Sequence, residues 1–399
     1  MSHQPTRRVT MSLLLASSLT VLSSTLLSPA LPAIESTFHA TPNVATLSRL
    51  VLTLPAALIV VSAPIAGTLV DRLGRRSVLC GAIVVYAAGG TAGYLGTELW
   101  HLLVVRAIQG VGVGALTVAT TTLIADYFSG DRRDTVLGWQ GATFNITGFL
   151  SLAGGGSLAA LGWRVPFLVY GAAIVLVPLV FVIIDEPETT SSSDALSFDL
   201  LESTPVGLLS GVYLLTYLCA TVFYLLTVQL PFYLQGAGAM TATGSGLLIG
   251  SYNLVAMVVA LRVSWIKRRV GPTGLFVSVF GLMGTGYLII GESSSIAVIL
   301  TGLVVAGLGW GLMLPTANLW IARLAPERIR GRAMSGVTMT LYLGQFSTPL
   351  VSQPLIERLG YATTFSLAGG LGVLVGAVVV LWGRRLSQGT VETLATDTV

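Results

Sequence analysis

Apolar residues run along this chain in long unbroken blocks, and polar residues fall in short clusters between them. An α-helix needs about 20 apolar residues to cross the hydrocarbon core of a bilayer. Blocks of that length lie at roughly 10–31, 46–66, 77–96, 100–125, 136–160 and 165–184. After a polar break they resume at roughly 205–232, 243–265, 273–291, 296–322, 334–357 and 362–383. Block length, without strict two-residue alternation, predicts helices rather than a barrel. The expected fold class is an all-α membrane protein with twelve transmembrane helices. Arg7 and Arg8 ahead of the first block, and the small-residue exit Ser28 to Ala33, have the outline of a signal peptide. The block is longer than a signal core and similar spans follow at once, so it is expected to stay as the first helix.

The two sets of six repeat each other. Leu161-Gly162-Trp163-Arg164-Val165-Pro166-Phe167 aligns with Leu359-Gly360-Tyr361-Ala362-Thr363-Thr364-Phe365 at an offset of 198, as Gly138 does with Gly336. One residue further, Leu31-Pro32 aligns with Leu230-Pro231, and Gly110 and Gly112 with Gly309 and Gly311. A near-constant offset predicts two parallel six-helix repeats. The expected domains are an N-terminal bundle over 1–184, an acidic linker over 185–203, a C-terminal bundle over 204–385 and a tail over 386–399. The linker holds Asp185, Glu186, Glu188, Asp194, Asp199 and Glu202 among serines and threonines, a composition that does not build a core.

Charge sets the orientation. Only 10% of the 399 residues are charged, too few to cover a soluble surface, while 53% are apolar. The net +4 comes from 21 basic and 17 acidic residues. With the N-terminus inside, the cytoplasmic segments collect Arg7, Arg8, Arg72, Arg75, Arg76, Arg132, Arg133, Lys267, Arg268, Arg269, Arg323, Arg328, Arg330, Arg332, Arg384 and Arg385. The external side keeps Arg49, Arg164 and Arg358 near helix ends. This bias predicts a multi-pass protein of the cell (plasma or inner) membrane with both termini cytoplasmic. Basic residues spread as punctuation do not form the face that nucleic acid needs. Cys80 and Cys219 lie far apart in apolar blocks and are expected to pack as small hydrophobes, with no metal or cofactor.

Between the second and third blocks stands Gly67-Thr68-Leu69-Val70-Asp71-Arg72-Leu73-Gly74-Arg75-Arg76. It resembles the cytoplasmic signature of the major facilitator superfamily. The corresponding loop of the second half, Ser264 to Gly271, keeps basic residues and a glycine but not the aspartate. The resemblance implies a latch that holds the halves together on the cytoplasmic side and favours the outward-facing state. Asp71 would face the N-terminus of the eleventh helix, near Arg332-Ala333-Met334, where the helix dipole favours an anion. Arg75 would bridge Asp71 to Asp126, and Gly67 and Gly74 would allow close approach and a tight turn. Arg72 and Arg76 complete the motif, and all three arginines also enforce topology.

A second signature, Arg106-Ala107-Ile108-Gln109-Gly110-Val111-Gly112-Val113-Gly114, resembles the pattern of proton-coupled members. Arg106 is expected to line the central path rather than snorkel, since a charge within a span is expensive. Gly110 and Gly114 are expected to pack on a neighbouring helix. In the fifth block the exporter pattern survives only as Gly155-Gly156, with Thr147, Ser151 and Leu152 in its other places. The resemblance implies alternating access, a small-molecule substrate, protons as coupling ion and a monomer. Glu35, Asp126 and His101 are the proton carriers that position allows.

Expected cavity residues are Ser23, Ser24, Gln140, Asn145, Tyr217, Tyr224, Asn253, Trp310, Asn318, Tyr342 and Gln345, with Gln345, Asn253 and Trp310 nearest mid-span. No Asp or Glu lies deep in any block; Glu35 and Asp126 come closest. A desolvated cation needs a counter-charge, so neutral, amphipathic or weakly anionic substrates fit this lining. The function expected is efflux of drugs or metabolites. Import of a small metabolite on the same fold stays open as the alternative. A polytopic enzyme would need a catalytic set that the blocks lack, and a membrane sensor on a transporter scaffold would be expected to carry a large soluble domain.

Overall fold

A computed structural model describes residues 7–186, 206–236 and 240–396, with helices joined by short connections and no strand among them. Helix α1 (Arg7–Thr25) passes through a 3-10 turn at Ser28–Ala30 into α2 (Leu31–Thr37), the break falling where Pro29 has no N–H to donate. Next come α3 (Val44–Leu73), α4 (Arg75–Ala92), α5 (Leu99–Tyr127) and α6 (Gly130–Ala159). The sixth crossing is interrupted, as α7 (Phe167–Gly171), a 3-10 turn and α8 (Leu176–Ile183). Helices α9 (Val206–Gly236), α10 (Ala242–Gly291), α11 (Ile296–Leu324) and α12 (Glu327–Thr396) complete the chain. Two of these are broken inside, α10 at Gly271 (φ 70°) and α12 at Gly360 (φ 79°).

Among the described residues nine helices are long and apolar enough to cross a membrane, and one of them, Ile329–Leu381, contains the break at Gly360. The exterior is apolar as well: Val61, Ile65, Val182, Leu261 and Leu381 are exposed. Surface of that kind is stable against lipid and not against water. Of the expected linker only Asp185 and Glu186 fall among the described residues. Residues 187–203 lie outside them, as do the side chains of Arg328 and of the expected tail.

Two hydrophobic cores form. The first gathers side chains from Val9 to Ile184, the second from Leu209 to Val379. They trade a few members: Val228 and Phe232 of α9 join the first core, and Leu152 of α6 joins the second. All three lie toward the C-terminal ends of their helices. Arg7 and Arg8 sit beside Val182 and Ile183, and Arg76 donates to the carbonyls of Phe181 and Ile184, so these arginines share one basic end of the bundle. The exchange occurs at the other end. Side-chain hydrogen bonds between the cores lie there too: Ser28 to the Thr227 carbonyl at 2.5 Å, Gln235 to the Pro29 carbonyl at 3.0 Å and Thr243 to the Gly156 carbonyl at 3.4 Å. The bundle is therefore closed away from the arginines.

Candidate functional site between the two cores

Arg106 is wholly enclosed, with 0% of its surface exposed. Its Nε donates to the Val51 carbonyl at 2.7 Å, and Nη2 donates to the Ser23 carbonyl at 2.7 Å and the Leu52 carbonyl at 3.4 Å. Nη1 donates to Gln109 Oε1, and the Tyr170 ring centroid lies 5.5 Å away. The acceptors follow from the sequence. Pro55 inside α3 has no N–H, which leaves the carbonyl four residues earlier, Val51, without a helical donor. Ser23 lies in the last turn of α1, where carbonyls also lack partners. Arg106 fills both vacancies. The expectation that it lines an open path is corrected here: it neither snorkels nor faces a cavity, because its fork is spent on α1, α3 and Gln109. Gln109 is buried too, and its Nε2 has no protein partner.

A second guanidinium, which sequence reasoning assigned to the external surface, is buried between the cores. Arg49 is 1% exposed and forms an ion pair with Glu35 of α2. Nη1 also donates to the Ala45 carbonyl, Nε donates to Gln229 Oε1 at 2.7 Å, and Nη2 donates to the Tyr361 hydroxyl at 3.2 Å. Its carbon Cζ lies 3.6 Å from the Phe232 ring centroid. Gln229 in turn donates to Ser352 at 2.8 Å and to Gln353 at 3.3 Å. Position near a helix end hid this residue. The signal available was Glu35, an acid at the same end.

At the basic end, Arg75 Nε donates to Asp126 Oδ2 at 3.2 Å. The expected other half of that bridge is missing in this state: Asp71 is exposed, and no hydrogen bond or ion pair reaches it among the described residues. Arg72 is exposed beside it, and a Cβ on Gly67 would meet no atom within 4 Å, so the close approach expected there is also absent. Gly74 is different. Its φ of 88° suits glycine, and Glu186 occupies the space beside it, accepting the backbone N–H groups of Arg75 and of Arg76, the latter at 2.9 Å. That carboxylate caps α4 from the far end of the same half, a contact sequence reasoning did not anticipate.

Of the expected cavity residues, Trp310 stacks on Phe223 with centroids 3.4 Å apart and planes at 11°. Tyr224 and Tyr252 meet the same Phe223 edge-on at 5.0 and 5.2 Å. Asn253 and Gln345 are buried, and the Asn253 Nδ2 and Gln345 Oε1 atoms have no protein partner. Tyr342 packs against the first core from the second half. Gln140, Tyr217 and Asn318 are half-buried on α6, α9 and α11. Asn145 is turned to its own helix, donating to the Gly141 carbonyl at 2.9 Å. Phe223 and Tyr252 are the members that hydropathy alone did not single out. Of the expected proton carriers, Glu35 and Asp126 each pair with an arginine, and His101 lies at the start of α5 within 3.2 Å of the Glu98 N–H.

A family model described as Major Facilitator Superfamily matches residues 13–329 and 273–396. The chain is 28% identical to the 4-hydroxybenzoate transporter PcaK of Pseudomonas putida over 345 residues, covering 75% of each. It is 26% identical to the 3-(3-hydroxy-phenyl)propionate transporter of Escherichia coli (strain K12) over 353 residues, covering 83% of this chain and 82% of that one. The fold matches a bacterial homologue of the human lysosomal transporter Spinster with a TM-score of 0.77 at 16% identity, over 96% of this chain and 98% of the other.

Proposed function

Because the chain belongs to the Major Facilitator Superfamily, we propose that it is a proton-coupled secondary transporter exporting small neutral, amphipathic or weakly anionic compounds by alternating access. A membrane-spanning transporter of small molecules, rather than an enzyme, is what the family and its relatives establish. The observation that carries the substrate class is the state of the acids. The two that come closest to mid-span, Glu35 and Asp126, are each already paired with an arginine. Neither is left free to balance a desolvated cation. The aromatic group of Phe223, Tyr224, Tyr252 and Trp310 supplies ring surface, while Asn253 and Gln345 supply amide groups with bonding capacity to spare. Gln140, Asn145, Tyr217, Asn318 and Tyr342 complete the proposed lining. Two relatives named for aromatic acids support this class.

Export rests on the resemblance to the antiporter group, whose fifth-helix pattern this chain keeps only as Gly155-Gly156, and coupling is assigned to Arg106, Gln109 and Glu35. The two halves, 1–184 and 204–385, rock about the site in a monomer of the cell membrane with both termini cytoplasmic. The basic end is then the cytoplasmic one, and the closed end faces outward. In the outward-facing state Gly67, Asp71, Arg72, Gly74, Arg75, Arg76 and Asp126 close it. Asp71→Asn is therefore expected to reduce transport to near background while expression and membrane insertion stay intact. Wild-type flux in that variant would leave the motif with a topological role alone.

The substrate class is tested with matched compounds differing only in charge, offered to inverted and right-side-out vesicles. Neutral and anionic aromatics should move and their quaternary ammonium counterparts should not, since cation–π contact supplies only about 2 kcal/mol to a desolvated cation. Efficient transport of the quaternary compound alone would overturn the class. Uptake into right-side-out vesicles down a proton gradient would select import, the second reading, which the aromatic-acid relatives allow.

A further inference from the structure

We propose that Arg49 is the bolt of the gate at the end remote from Arg7, Arg8 and Arg76, and that Glu35 acts as its resident counter-ion rather than as a partner across the interface. The proposal deepens the alternating-access reading and rests on it. The partners of Arg49 divide by half. On its own half it keeps Glu35, the Ala45 carbonyl and the Ser48 hydroxyl, which itself donates to Glu35 at 3.0 Å. Across the interface it reaches only neutral groups, Gln229 Oε1, the Tyr361 hydroxyl and the face of Phe232. Parting the two halves thus breaks no ion pair of Arg49. The guanidinium leaves the interface with its carboxylate, and two neutral hydrogen bonds and one ring contact are exchanged for water.

This division has a directional consequence. In the closed gate Arg49 is dehydrated, and Glu35, with 29% of its side chain exposed, supplies the compensating charge. Removing that charge penalises the closed state, where the cation stays buried, and hardly affects the open state, where water solvates it. Removing a neutral acceptor instead weakens closure by one bond. The far side is preorganised for its part: Ser352 and Gln353 hold the Gln229 amide so that its oxygen faces Arg49, and Glu357 accepts from Gln353 at 3.0 Å.

The test is a distance measurement on the full chain in lipid nanodiscs, without substrate, in a Cys80→Ser, Cys219→Ala background. Spin labels on Thr97→Cys and Ser294→Cys report the gate end, and labels on Ser77→Cys and Ser335→Cys report the basic end; all four positions are exposed. Glu35→Gln should raise the ratio of gate-open to gate-closed molecules on the order of tenfold. Gln229→Ala should raise it by about threefold, which keeps the idea testable if Glu35→Gln fails to insert. The double variant Glu35→Gln, Arg49→Gln removes the buried uncompensated charge and should fall back to a ratio near that of Gln229→Ala, because the neutral bonds across the interface stay lost. Unchanged distances in Glu35→Gln and Gln229→Ala, or a double variant as open as Glu35→Gln, would overturn the proposal. Because no substrate is present, a wrong substrate class or direction leaves these distances unaffected. If in any variant both label pairs lengthen together or shorten together, alternating access itself is at fault.

Discussion

Arg106→Ala is expected to abolish transport and to lower the melting temperature of the purified protein. The guanidinium satisfies the Val51, Ser23 and Leu52 carbonyls and Gln109 Oε1 in an enclosed site. An unsatisfied buried acceptor costs about 1–3 kcal/mol, and at least two would be orphaned. Val51 cannot recover a helical donor, because Pro55 has none to offer. Arg106→Lys should also be strongly impaired: one ammonium cannot span α1, α3 and Gln109 as the planar fork does. Thermal melting and flux in proteoliposomes separate the outcomes. Full flux in the alanine variant would remove Arg106 from the coupling machinery, and full flux in the lysine variant would mean that a point charge suffices there.

Gly112→Leu and Gly311→Leu are expected to be severe packing changes. A Cβ on Gly112 would lie 2.7 Å from the Tyr86 backbone nitrogen of α4, and one on Gly311 would lie 2.6 Å from the Ala256 carbonyl of α10. Both neighbours are helix backbone and cannot rotate away, so the helices must separate. Overpacking of a close-packed interior costs about 1–3 kcal/mol even for smaller insertions. The same change at Gly138, where a Cβ meets nothing within 4 Å, should leave stability nearly unchanged. Melting of the three variants in one detergent is the measurement. Similar losses at all three positions would mean that helix propensity rather than helix contact governs these glycines.

The membrane helices were legible because a bilayer demands continuous apolar length, which is a local property of the chain. The repeat was legible for a related reason: close approaches and reversals need glycine wherever they occur. Gly110 and Gly112 in α5, and Gly309 and Gly311 in α11, all abut neighbouring helices. Gly162 and Gly360, aligned by the repeat, both take positive φ, at 144° and 79°. Arg106 and Gln109 stood out because a cation in an apolar block is costly wherever it points. What holds Arg106 was written less openly, in Pro55 and in the end of α1.

Only the tertiary structure decided the status of Arg49. In sequence it is one arginine near a helix end, where water would solvate it. Its burial depends on Gln229 and Tyr361, 180 and 312 residues away, being brought against it by closure at that end. The same holds for the motif at the basic end, where Arg75 finds Asp126 within its own half while Asp71 stands exposed. Contacts within a half follow from the helices and their order. Contacts between halves join residues far apart in sequence, and no local pattern states which of them meet, so the structure alone decides them.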